Sequence, residues 1–350
     1  MDSSAPVIPR PTIPAELRSE PRSEAQPDAQ SPAHPRPAWV AMSFCATACL
    51  LVGSSFSAAH LLNHYPYATG QALRYAIAAL VLLTVIRFQN RTKNRAAAVT
   101  PANPAITTTT TATKLTPRNH LRIALVAATG AVGFNLAILA AERSAEPAVP
   151  GVVVGCSPLV VAVLVPLLAR RRPSARLAGA ALLVVAGAAV VQGFGHTTLA
   201  GLAFSLLALA GEVCFSLIAV PLLRLISPLT LSAYISLAAA AESAVVALGS
   251  SGLRAVQLPT LPETAALLWQ ALPVTVLAFC LWYAGLRRLG PERAQLFVGL
   301  MPIAAAACAP ALGAGSLGWA QLTGSGLVCV GIVLGSSSAR RRANARRRDT

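Results

Sequence analysis

Ten stretches of about 20 predominantly apolar residues fill most of this chain, and that pattern restricts the fold more than any motif in it. They run approximately over 38–62, 68–86, 121–141, 147–169, 174–193, 199–219, 229–249, 265–286, 294–313 and 319–338. An α-helix rising about 1.5 Å per residue crosses a hydrocarbon core of about 30 Å with about 20 residues. Each stretch therefore has the length of one crossing. Alanine, leucine, valine and glycine occur all round each stretch, without the polar stripe that marks a helix half-immersed in water. Lipid or other such helices must surround them, and only elements that satisfy their own backbone hydrogen bonds survive there. The expected fold is an all-α integral membrane protein with ten transmembrane helices. Composition agrees: 55% of the residues are hydrophobic and 11% charged, against roughly 25% charged in ordinary soluble domains.

A formal charge of +16 raises the question of a nucleic-acid partner, and the positions of the basic residues answer it. Ten spans put both termini on one side. On that side lie 25 of the 28 lysines and arginines, while Arg143 and Arg254 fall in loops on the other and Arg74 lies within the second span. The positive-inside rule then makes both termini cytoplasmic. Charges that follow loops, with no folded reader to aim them, imply attraction to anionic lipid and no nucleic-acid partner. Residues 1–37 hold nine prolines, five acids and four arginines and read as a disordered cytoplasmic tail. The segment 339–350 reads as a basic cytoplasmic tail, and 88–120, with its run Thr107–Thr111, as a flexible cytoplasmic loop. The seven cysteines sit singly in apolar runs with no Cys-x-x-Cys pair, so no metal, disulfide or cofactor is expected.

Sliding the chain against itself by 144 residues lays spans three to five on spans eight to ten. Arg143 then meets Arg287, Pro147 meets Pro291, Gly155 meets Gly299, Pro158 meets Pro302, Pro166 meets Pro310 and Gly187 meets Gly331. The halves are two five-helix repeats, 38–193 and 199–338. Because five is odd, the second must enter the bilayer from the opposite face, giving inverted repeats. In secondary transporters of that architecture the substrate sits near the midplane between the halves.

The residues themselves then resemble a family. Val52-Gly53-Ser54-Ser55-Phe56 with Arg74 in Ala72-Leu73-Arg74-Tyr75-Ala76 resembles the opening of EamA-type members of the drug/metabolite transporter superfamily. Trp282-Tyr283-Ala284-Gly285-Leu286, Leu289-Gly290-Pro291, Pro302, Gln321-Leu322-Thr323-Gly324 and Gly331 resemble its closing pattern, echoed by Pro158 and Gly187 in the first half. The chain departs from the family at Val52, where tryptophan is common, and at Arg171 and about Gly315, where a glutamate is common. The resemblance implies a secondary active transporter of the plasma membrane that exports small metabolites, amino-acid-like or drug-like, driven by protons or a counter-substrate.

Charges in hydrocarbon are costly, about 2.5–3.5 kcal/mol each on insertion scales, so Arg74, Glu212 and Glu242 stand out. Arg74 would attract an anionic substrate group, or else pair with a glutamate and tie helices together. Glu212 or Glu242 would neutralise a cationic group or carry a proton, since a carboxyl in hydrocarbon favours its neutral form. Ser54, Ser55, Gln71, Tyr75, Asn135, Ser216, Tyr234 and Ser236 are candidate lining groups, although serines in such helices commonly bond their own backbone. Pro158 and Pro302 each remove one helical hydrogen bond, which suits either a ligand-contacting hinge or a fixed packing kink. Trp282 and Tyr283, near a cytoplasmic helix end, read as interface anchors or as a stacking surface. The Gly331–Gly335 spacing would serve a homodimer face or packing within the bundle. An integral-membrane enzyme is the main alternative, with a receptor or channel behind it. No aspartate lies between Asp28 and Asp349, which leaves little with which to build a catalytic site.

Overall fold

The computed structural model describes residues 38–62, 64–99, 115–146, 148–193, 195–251, 257–308, 310 and 318–336. The expected tails 1–37 and 339–350 lie outside them. The described residues are helical throughout, apart from short turns and one isolated bridge between Ala145 and Thr197. Helix one is Ala38–Ala58 and helix two Tyr67–Val99. Helix three spans Pro117–Ala141, and helix four comprises Ala148–Gly155 and Ser157–Leu168. Helices five, six and seven are Ala175–Gln192, Leu199–Leu222 and Pro228–Ser251. Helix eight spans Leu261–Leu289. Helix nine is built from Pro291–Ala294, the 3₁₀ turn Gln295–Gly299 and Leu300–Cys308, and helix ten is Trp319–Ser336.

Among the described residues, nine of these ten, all but helix nine, are long and apolar enough to cross a membrane. Large apolar side chains face outward, as at Leu80 (68% exposed) and Val245 (70%). Such a surface suits lipid and would aggregate in water. Helix two differs from expectation: it continues to Val99, so residues 88–99 of the anticipated loop are helical. The sequence there, Phe88-Gln89-Asn90-Arg91-Thr92-Lys93-Asn94-Arg95-Ala96-Ala97-Ala98, is rich in good helix formers.

The repeat is written into the packing. Helix one packs on helices eight and nine, as helix six packs on helices three and four; helix two pairs with seven and helix five with ten. Exchange of the halves thus turns the first two sets of contacts into each other and the last two pairs into themselves. The five–ten crossing shows it at single residues. A Cβ on Gly187 would meet Gly324 O at 2.6 Å and Val328 Cγ2 at 2.8 Å, and one on Gly331 would meet Val184 Cγ2 at 2.7 Å and Ala180 O at 2.8 Å. Shifting by 144 turns one set into the other. Where no hydrophobic force drives helices together, such small-residue contacts carry the association. Gly335 likewise packs on Leu296 and Ala180, so the Gly331–Gly335 face is used within the bundle.

Local irregularities repeat too. Helix three contains a π-helical stretch at Ala127–Gly133 and helix eight one at Gln270–Leu277; shifted by 144, the first falls on 271–277. Helix four breaks after Gly155, and helix nine leaves its 3₁₀ turn after Gly299, again 144 apart. Pro158 and Pro302 sit just beyond these breaks, where a missing N–H costs least. Both are buried.

Candidate functional site

Helices three and eight border a common space between the halves. A cavity of about 90 Å³ lies there, walled by helix one (Cys49, Val52, Ser55), helix two (Arg74, Tyr75), helix three (Gly130, Phe134, Asn135), helix six (Glu212, Phe215), helix eight (Ala278, Phe279, Trp282) and helix nine (Met301). Phe134 and Asn135 correspond to Ala278 and Phe279 under the 144-residue shift. Equivalent positions of the two repeats therefore form facing walls. π-Bulges recur at functional sites because the extra residue re-aims side chains within a continuous helix.

Arg74 is 7% exposed. Its Nε donates to Thr275 Oγ1 at 2.8 Å, and one terminal nitrogen reaches Gln71 Oε1 at 3.4 Å and Gln270 Oε1 at 3.5 Å. Its guanidinium lies 5.1 Å from the Tyr75 ring centroid, within cation–π range. Thr275 is itself fixed by its Oγ1 donating to Gln270 O at 2.8 Å, a bond spanning five residues that belongs to the π stretch. All these partners are neutral, and Arg74 forms no salt bridge among the described residues. The tie to a glutamate is thus absent. Of five N–H donors, the two on the second terminal nitrogen have no protein partner among the described residues.

Glu212 is 9% exposed and also borders the cavity. Its Oε1 accepts from Gln295 Nε2 at 3.1 Å, and the same nitrogen donates to Ser157 Oγ at 3.1 Å. Asn135 donates to Ala131 O at 2.5 Å and to Tyr75 Oη at 3.4 Å, so its amide faces inward as the cost of an unpaired amide demands. Phe215, Phe279 and Tyr283 form a ring cluster with centroids 5.4–6.2 Å apart. Against the expectation of interface anchors, Trp282 is 6% exposed and Tyr283 fully buried. They lie one turn beyond Phe279 on the same helix face and point with it into the bundle.

Of the residues singled out from the sequence, Arg74, Glu212, Ser55, Tyr75 and Asn135 meet at this cavity. Gln71 supports Arg74 from behind. Ser54 and Ser55 bond their own helix, to Leu51 O and Val52 O, both at 2.7 Å, and Ser54 also accepts from Trp269 Nε1 at 3.1 Å. Glu242, Tyr234, Ser216, Ser236, Pro158 and Pro302 do not line the cavity. Glu242 is partly buried on helix seven beside the outward-facing Ala241, with its Oε2 buried and without a hydrogen-bond partner among the described residues. Gln270, Thr275, Gln295 and Ser157 escape a reading that weighs charges first, because a neutral amide or hydroxyl in a span carries no comparable signal. The repeat could have found the aromatic wall: Asn135, expected inside, falls on Phe279.

Two segments of the chain, 39–192 and 199–337, match the model of the EamA-like transporter family. The chain belongs to this family. As an EamA-like protein it is a multi-pass membrane transporter, in line with two similar Bacillus subtilis (strain 168) proteins, each described as an uncharacterized transporter. YetK is 26% identical over 268 residues, which cover 74% of this chain and 76% of YetK. YyaM is 22% identical over 301 residues, covering 83% and 92%. A protein of known crystal structure, 19% identical, superposes with a TM-score of 0.68 over 87% of this chain and 100% of that one, a likeness of fold. The EamA-like pattern thus covers both repeats, and the cavity lies between them.

Proposed function

We propose that this EamA-like transporter is an exporter of the cytoplasmic membrane, with both termini cytoplasmic. It moves small amphipathic solutes, amino-acid-like or drug-like, that carry an anionic group. The supporting observation is Arg74: a buried guanidinium held only by neutral partners, with one terminal nitrogen unengaged, at a cavity between the halves. A cation left without a counter-charge in a low-dielectric space is a strong attractor for an anion. Phe134, Phe215, Phe279 and Trp282 would cover the apolar body of the solute.

Arg74 lies seven residues into helix two and Glu212 thirteen into helix six, about 10 Å and 20 Å along the helices from the non-cytoplasmic end. The cavity thus spans the outer half and the midplane. Beyond it the buried Tyr283, Leu222 and Leu286 would close the cytoplasmic side. About 90 Å³ is far less than the usual 300–1,000 Å³ of a ligand pocket, so the halves must part for a solute to enter. Alternating access by rocking of the two repeats about the five–ten and two–seven contacts accounts for this.

Proteoliposomes offered a panel of amino acids, nucleosides and amphipathic drugs, with and without a pH gradient, test the proposal. Carriage of at least one anion-bearing solute is expected. Folded protein that moves none of them would return the integral-membrane enzyme and receptor readings to first place.

A further inference from the structure

Gln295 sits at one of the two places where the repeat breaks its helices, and its amide is half satisfied. Its side chain is fully buried. The two Nε2 protons go to Glu212 on helix six and to Ser157, the first residue after the break in helix four. Its Oε1 is buried with no donor among the described residues, a costly deficit in an apolar interior. The carboxyl beside it has one oxygen on Nε2. A carboxylate can only accept hydrogen bonds, so it can do nothing for Oε1. A protonated carboxyl can, because its O–H donates to Oε1 while its other oxygen keeps the bond from Nε2. That closes a two-bond acid–amide ring. Turning the amide over does not remove the need. Oε1 would then accept from Ser157, and it would face Glu212 as a second bare acceptor unless that group carried a proton.

We propose that Glu212 is the coupling site for a proton, and that Gln295 is the positioning residue which reads it. In the proposed clasped state Glu212 is neutral and paired with Gln295, whose Nε2 already joins helix six to the breaks of helices four and nine. Loss of the proton leaves a carboxylate with one bond and an amide oxygen against it. The 3₁₀ turn Gln295–Gly299 then has to move, and with it the contact between the halves. The balance is one proton taken up from one side and released to the other per cycle, with no other bond made or broken. The groups that face Glu212 fit this role. Cys49 of helix one lines the cavity with it, and Tyr283 of helix eight packs on Phe215, three residues along helix six. Arg74, Tyr75 and Asn135 border the same cavity. Since Arg74 forms no salt bridge with Glu212, the cation remains available to the solute when Glu212 is neutral. The inference rests on the transporter reading for its purpose, and not for its test.

Infrared difference spectroscopy of the full chain in lipid, at neutral pH and without any solute, reads the carbonyl stretch of protonated carboxyls directly. The wild type should show a hydrogen-bonded carboxylic acid band. Glu212→Gln, close to isosteric, should remove it, and Glu242→Gln should leave it. Gln295→Met keeps the length of the side chain but offers no acceptor, and should move the band to higher wavenumber. Ser157→Ala provides a second, gentler perturbation with a smaller move in the same sense. A wild type without the band, a band that survives Glu212→Gln, or one unmoved by both Gln295→Met and Ser157→Ala overturns the proposal. Since no solute is present, that failure is distinct from failure to find a transported compound.

Discussion

Replacing Gly187 by alanine puts one methyl group into the crossing of helices five and ten. The new Cβ would lie 2.6 Å from Gly324 O and 2.8 Å from both Val328 N and Val328 Cγ2, where carbon contacts are optimal at about 3.5–4.0 Å. Backbone atoms cannot swing aside, so the helices must part by about 1 Å. Overpacking of this kind costs about 1–3 kcal/mol. Gly331 meets the equivalent set of neighbours, Ala180 O and Val184, so Gly331→Ala should cost a similar amount. Once the helices have parted for one methyl, the second finds room. The double variant should therefore cost less than the two added together. Gly179, on the exposed side of helix five, would have nothing within 4 Å of a new Cβ. Gly179→Ala should gain about 0.5–1 kcal/mol from helix propensity alone. Thermal unfolding of the four variants in one detergent decides the matter. A neutral Gly187→Ala, or a large cost at only one of the two glycines, would refute a crossing organised by the two-fold relation of the repeats.

Glu242→Gln should retain pH-gradient-driven transport whereas Glu212→Gln loses it, since only Glu212 borders the cavity; proteoliposome flux with a pH-sensitive dye separates the two. Arg171 and Glu292 form an ion pair at 3.1 Å with Arg171 largely exposed, so Arg171→Ala should change stability by no more than about 1 kcal/mol in thermal unfolding. Tyr65 donates to Gln257 O at 2.8 Å across 192 residues, joining the one–two and seven–eight loops. Tyr65→Phe should lower stability by about 1 kcal/mol, measured the same way.

Much of the fold was legible because the bilayer makes it so. Segment length, the uneven placement of arginine and the 144-residue register specify ten helices in two inverted sets without any contact being known. The cost of an embedded charge likewise singled out Arg74 and Glu212. It does not separate these from Glu242, which stands away from the cavity, because spans apolar on every side leave no moment to say which face turns inward. The same absence misplaced Trp282 and Tyr283, whose position near a helix end fits an interface belt as well as an interior wall. The π stretches have no sequence signature at all, yet Thr275 and Gln270 hold Arg74 through one of them. Gln295 was missed because its importance lies in one unpaired oxygen, which only the packing reveals.

Arg74 is where the account can be tested most directly. Wild-type and Arg74→Gln proteins, in proteoliposomes, would be compared on matched solutes that differ only in bearing a carboxylate or its neutral amide. A charge-assisted hydrogen bond worth about 1.5–3 kcal/mol predicts that the substitution weakens apparent affinity for the acid by about 10–100-fold and leaves the amide nearly unchanged. Equal handling of the acid by both proteins would contradict the assignment of this cavity as an anion-reading transport site.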